Sequence, residues 1–170
     1  MAVNTTAGAR FYIGPVDDTD ALEAMNDAAA LAHFEAIVEG DWTEVEEIES
    51  FGDFGDTSDV ATFASVADRR VRKFKTTKDA GTLVIVVGRD ALDEGQIALI
   101  AAEGTDFNYS FRIVYNDARA EAYSPSTEYF AGMVLSKATN LGGVADITKR
   151  TFNIGVNSKI INDDTDPTGS

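Results

Sequence analysis

Cysteine is absent from the 170 residues, histidine occurs once, and the first sixty residues carry a single cation, Arg10. Without cysteine there is no disulfide framework, no thiolate zinc site and no thiol nucleophile, and the redox compartment is left open. The lone His33 has neither a cysteine nor a Gly-x-Ser-x-Gly elbow to work with, so it reads as a packed or surface side chain rather than part of a triad or a zinc site. The N-terminus has no basic segment followed by an apolar run, and no stretch approaches the roughly 20 apolar residues of a membrane span. The expectation is a soluble, cytosolic product with no membrane partner.

What is abundant is acid, and it is unevenly placed. Residues 1–60 hold fifteen Asp and Glu, whereas residues 61–170 hold fourteen against thirteen Lys and Arg, so fourteen of the fifteen net negative charges fall in the first third. An anionic field that concentrated is tolerated when it is solvated, screened or set opposite a basic partner. The chain supplies one itself, in Arg69, Arg70, Arg72, Lys73, Lys75 and Lys78, so copies are able to meet acid to base, head to tail. A net charge of −15 opposes tight binding to nucleic acid. With 44% hydrophobic residues, the length suits one domain that buries roughly two-thirds of its unfolded surface without a metal or disulfide.

Periodicity gives mostly strands. Ala9–Val16 alternates around Phe11, Tyr12 and Ile13, Trp42–Glu49 is strand-like, and Val60–Val66 and Arg70–Lys75 are short strands. Thr82–Val87 is an unbroken apolar run expected to be buried on both faces. Phe107–Asn116 alternates most regularly, with Phe107, Tyr109, Phe111, Ile113 and Tyr115 on one face, and is expected to be half buried. Glu128–Lys137 and Ile147–Ile161 supply further strands. Helical spacing appears within Asp27–Val38 and over Asp90–Gly104, where Leu92, Gln96, Leu99 and Ile100 share a face. The fold class is α+β, mainly β: a β-sandwich or barrel of about 8–9 short strands with one or two flanking helices. Residues 1–161 form the single domain, with a flexible arm over 1–8, a long loop over 50–59 and a disordered tail over 162–170.

The order of these motifs resembles the tail tube (major tail) proteins of long-tailed bacteriophages. The resemblance is carried by Val45-Glu46-Glu47-Ile48-Glu49-Ser50-Phe51-Gly52, the apolar strand after Asp79-Ala80-Gly81, and the helix opened by Asp93-Glu94-Gly95-Gln96 and continued through Ala102. It runs on through the aromatic strand, Phe130-Ala131-Gly132-Met133-Val134, the loop Asn140-Leu141-Gly142-Gly143-Val144 and the closing strands, so that it covers Trp42 to Ile161. It implies a non-enzymatic structural virion protein without cofactors, located in the virion tail and assembled in the host cytoplasm. Subunits of this kind close into hexameric rings that stack into a hollow tube conducting DNA. Partners implied are further copies, the tape measure, tail terminator and baseplate proteins, and DNA that passes without specific binding. The Ala-rich segment Ala21–Val38 departs from the simplest members.

Candidate lumen residues are Glu44 and Glu46, read as sharing one face of the Trp42–Glu49 strand; a solvated outer face is the competing reading. In the loop, Phe51 and Phe54 are expected to be exposed anchors for a neighbouring ring, with Asp53, Asp56 and Asp59 facing the basic strand Arg69–Lys78. That strand equally suits an edge protected by lysines. Asp53-Phe54-Gly55 imitates a kinase magnesium triplet without the other kinase segments, and Asp53, Asp56 and Asp59 lack the alternating spacing of a calcium loop, so no metal is expected. No acid pair is marked for glycosidase work, and the aromatic strand reads as core rather than a base-stacking platform. The alternatives are a monomeric acidic β-sandwich binding module, or the inner tube of a contractile or secretion-type injection machine.

Overall fold

Phe11 and Ile13 turn the first strand toward a core. A computed structural model, which describes residues 4–67 and 69–164, places them in β1 (Arg10–Val16), both buried. β1 pairs antiparallel with β2 (Thr43–Val45) on one side and β7 (Tyr109–Val114) on the other. The sheet continues through β8 (Thr127–Asn140), β9 (Lys149–Val156) and β6 (Thr82–Gly88) to β3 (Ile48–Phe51), and β10 (Ile161–Asp163) lies beside the start of β8. β4 (Thr57–Ala64) and β5 (Val71–Asp79) make a separate two-stranded ribbon.

β2 and β3 stand at opposite ends of the sheet order, yet Glu46 and Glu47 alone separate them in the chain. The step from Val45 to Ile48 spans at most ~11 Å. The sheet therefore rolls up until its edges meet, giving a barrel closed by one bent segment that bonds first to β1 and then to β6. The bend is at Glu47, which takes a φ of 57°, and its carbonyl accepts the Gly88 N–H at 2.8 Å. The strand read over Trp42–Glu49 is thus two strands serving opposite edges, because barrel closure requires a corner there.

Phe11, Phe111 and Phe130 stack in series inside the barrel, at 5.5 and 5.3 Å between centroids, with Leu83, Ile85, Leu99, Phe152 and Ile154 around them. α3 (Glu94–Glu103) covers this core with Leu99 and Ala102, and Asp93 caps it by accepting from the Gly95 N–H at 2.9 Å. Gly95 is needed for that seat: a Cβ there would lie 2.1 Å from the Glu44 carbonyl oxygen.

A second core lies outside the barrel. α1 (Thr19–Ala24) and α2 (Asp27–Glu35), the Ala-rich segment, press Leu22, Ala30 and Phe34 onto Trp42, Tyr129 and Ala131. Two expectations about burial change as a result. β7 buries Ser110 on its outer face as well as Phe111 and Ile113 on its inner one, whereas β6 fully buries only Leu83, Ile85 and Val87 and leaves Val84 and Val86 partly buried. Leu92 precedes α3 and is 86% exposed, because the helix starts two residues later and turns Gln96 and Leu99 inward instead. β10 extends two residues into the stretch expected to be a disordered tail, pairing Asn162 with Glu128 and Asp163 with Thr127; residues 1–3 of the expected arm and 165–170 of the tail lie outside the described residues.

Candidate functional site

The ribbon and the barrel corner are two surfaces that the core leaves unused. In the β4–β5 ribbon, Ala61 pairs with Phe74, Phe63 with Arg72, Val60 with Lys75 and Thr62 with Lys73. Paired residues share a face, so Phe63, Phe74 and Ala61 lie together on one side with Arg72, and Val60 and Val71 on the other with Lys73 and Lys75. Phe63, Phe74, Val60 and Val71 are each more than half exposed, since the ribbon packs substantially only on itself. A two-stranded ribbon of this kind is marginally stable alone in water.

Arg69 and Arg70 lie at the turn of the ribbon, Arg69 with a φ of 50°, and Arg72, Lys73, Lys75 and Lys78 follow along β5, all exposed. The six basic residues therefore lie on one ribbon, spread along its length and over both faces. The stretch read as a loop over 50–59 is shorter: Ser50 and Phe51 end β3, and Thr57, Ser58 and Asp59 begin β4. Its phenylalanines are not free anchors. Phe51 stands edge-on to Phe11 at 6.2 Å and Phe54 packs on Phe130 at 5.5 Å, because the barrel mouth needs apolar side chains to close it. Asp53, Asp56 and Asp59 are exposed; Asp56 borders a pocket with Lys78 of the same chain, and the Asp59 carbonyl accepts the Thr76 hydroxyl at 3.1 Å. The exposed phenylalanines that sequence reasoning missed are Phe63 and Phe74, whose signal was their place among alternating small and charged residues.

At the other end of β6 the corner gathers acids. Glu44 and Glu46 border one cleft of about 330 Å³ with Glu94, Asp93 and Leu92. The two border the same cleft at the bend; they do not share one flat strand face, since the Trp42–Glu49 segment is two strands. Glu44 has Arg10 at 3.6 Å; Glu49 pairs with Lys149 at 2.7 Å. Asp93 ties the corner to the helix by accepting the Glu46 N–H at 3.0 Å. β6 separates the two surfaces: the ribbon enters it at Thr82, the acidic corner follows it after Gly88, and its seven residues span about 23 Å.

His33 lies elsewhere, in the last turn of α2. Its Nε2 is 2.9 and 3.0 Å from the two Asp17 carboxylate oxygens, and the Ser110 hydroxyl donates to Asp17 Oδ2 at 2.7 Å. The carboxylate sits between serine and histidine, so the imidazole does not bond the hydroxyl, and the group fastens the end of β1 to β7 and α2. Among the described residues no cluster of three His, Asp or Glu is arranged to hold a metal, and no helix is long and apolar enough to cross a membrane.

No protein-family model and no curated protein matches the chain. Solved structures do. The tail tube of SPP1 aligns with TM-score 0.60 at 11% identity over 92% of this chain and 76% of that one. The sheath/tube terminator of an extracellular contractile injection system, PVC, aligns with TM-score 0.65 at 10% identity over 96% of this chain and 98% of that one. A chain of the anti-feeding prophage baseplate aligns with TM-score 0.61 at 8% identity over 96% of this chain and 98% of that one. The chain thus has the fold found in components of phage tail tubes and contractile injection systems.

Proposed function

We propose that this chain is a structural subunit that assembles with copies of itself into rings, six to a ring, stacked as the hollow tube of a phage tail. The observation that carries the reading is the β4–β5 ribbon: cationic, apolar on both faces, exposed, and set at the end of β6 opposite the acidic corner. Such a ribbon gains a partner when a second copy presents its other end, and a contact between unlike surfaces repeats without closing, so it extends a filament. The fold likeness to tube and tube-end proteins supports the same reading. So does the net charge of −15, which keeps DNA from adhering to the bore whichever acids face it.

Glu44 and Glu46 fit a contact better than a bare wall, since they rim a cleft beside the exposed Leu92. The tape measure, tail terminator and baseplate remain proposed partners, and the virion tail the proposed location. Sizing chromatography and negative-stain imaging over a concentration series test the assembly: rings or tubes are expected, and a monomer at every concentration would return the chain to the class of acidic binding modules.

A further inference from the structure

The loop between β8 and β9, residues 141–148, keeps its apolar side chains out of the core. Leu141 is 70% and Ile147 73% exposed, and Val144 is exposed completely. The loop is nonetheless a fixed turn. The Gly142 N–H donates to Asn140 Oδ1 at 3.0 Å, the Gly143 N–H to Asp146 Oδ2 at 2.6 Å, and the Asp146 N–H to the Gly143 carbonyl at 3.1 Å. Apolar side chains scattered singly over a surface are ordinary, but three on one preformed turn mark a contact surface. The charge around the turn is also unlike that of the chain as a whole. Residues 141–150 hold Lys149, which pairs with Glu49, and Arg150 against Asp146 alone, and Arg89 adjoins them, its N–H donating to the Thr148 carbonyl at 2.9 Å.

At the other end of β6 lies a hollow of about 430 Å³, floored by Phe54 and the Ala80–Gly81 turn and bordered by Asp53 and Asp56, with no cation among the residues that line it. Among the described residues Arg89, Asp53 and Asp56 take part in no ion pair. We infer that the 141–148 loop of one copy seats in this hollow of a second copy, Leu141, Val144 and Ile147 against Phe54 and the Ala80–Gly81 turn, with Arg89 at the base of the loop toward Asp53 and Asp56. An apolar centre with opposite charges at its rim is the usual anatomy of such a contact. A chain cannot make it with itself. Gly88 pairs with Lys149 beside the loop and Thr82 with Gly155 beside the hollow, so the seven residues of β6, about 23 Å, lie between them. The inference rests on the tube reading and adds a contact that uses neither face of the ribbon.

Leu141→Ser combined with Val144→Ser, both at exposed positions, is expected to keep the parent's thermal midpoint and to reduce polymer at least tenfold. The absence of cysteine allows a direct reading as well. Val144→Cys and Thr57→Cys, the latter at an exposed position lining the hollow, are prepared separately, mixed, assembled and treated with a short bis-maleimide. Cross-linked dimers containing one of each variant are expected from the mixture, and few from either variant alone. Polymer that forms normally from the double serine variant, or that carries no cross-link between the two cysteines, overturns the docking and leaves the tube reading standing. A Val144→Cys thiol that reacts with a bulky maleimide as fast in the polymer as in the free chain assigns the loop to a different partner and overturns it too. An unmodified chain that never polymerises overturns both.

Discussion

Arg112 shows how one side chain orders a whole surface. Its guanidinium lies 4.2 Å from the Tyr12 ring centroid and 4.8 Å from that of Trp42, and it donates to both Glu39 carboxylate oxygens at 2.8 and 2.9 Å. The planar fork does what a lysine ammonium cannot: it stacks and chelates at once. Arg112→Ala is expected to cost about 2 kcal/mol through lost packing and cation–π contact, and Arg112→Lys to recover less than half, measured by urea unfolding. The same pair gives a pH dependence. The Arg112 hydrogen bonds hold the Glu39 carboxyl below its ordinary 4.5, so its contribution is present above that value and is lost as pH falls through the lowered folded value. Glu39 is 78% exposed, so the effect is small, about 0.5 kcal/mol. Glu39→Gln is expected to lower stability at pH 7 by that amount and to make no difference by about pH 2. Asp117, held low chiefly by the Ser126 hydroxyl, loses its contribution in the same direction.

Among elements, the seat of α3 on β2 matters most. The helix begins where Asp93 accepts from both Gly95 and Glu46, and Gly95 lets the turn lie against the Glu44 backbone. Gly95→Ala would force a Cβ to within 2.5 Å of the Val45 Cα, a contact that only backbone movement relieves. The expected cost is about 3 kcal/mol, with the acidic corner displaced, so both the thermal midpoint and polymer yield should fall. A variant that melts like the parent would show that the corner adapts freely. Much of this was legible in the sequence: Asp93 at the helix start, the alternation around Phe11 and Ile13, and the closing strands all have local signatures. The break at Glu46-Glu47 was not, because nothing in the alternation of Thr43 to Glu49 records that the segment must bond to two different edges.

At the scale of the whole molecule, charge and shape separate. The ribbon packs chiefly on itself, so replacing 58–78 by a short Gly-Ser link is expected to leave one cooperative unfolding transition near the parent midpoint and to abolish polymer, read by calorimetry and sizing chromatography. Assembly through cationic ribbon and acidic corner also predicts opposing effects of salt. Moderate salt relieves repulsion among chains of net charge −15, whereas a Debye length of about 3 Å at 1 M removes the attraction, so polymer yield should pass through a maximum. A yield that rises steadily to 1 M would assign the contact to apolar burial alone.

The amino-acid sequence by itself determined the strand-rich class, the core-forming alternation, the lack of thiol chemistry and the concentration of acid before the basic run, since each follows from composition or from neighbours along the chain. Tertiary structure alone decided which faces are covered. β7, which alternates, buries Ser110 on its outer face as well as Phe111 and Ile113, Ser110 being held by Asp17, and β6, which is apolar throughout, leaves Val84 and Val86 only partly buried. It also turned Phe51 and Phe54 inward and Phe63 and Phe74 outward. The reason is geometric: whether an apolar side chain meets the core depends on how the sheet rolls and where the helices return, and those are set by contacts between residues far apart in the chain.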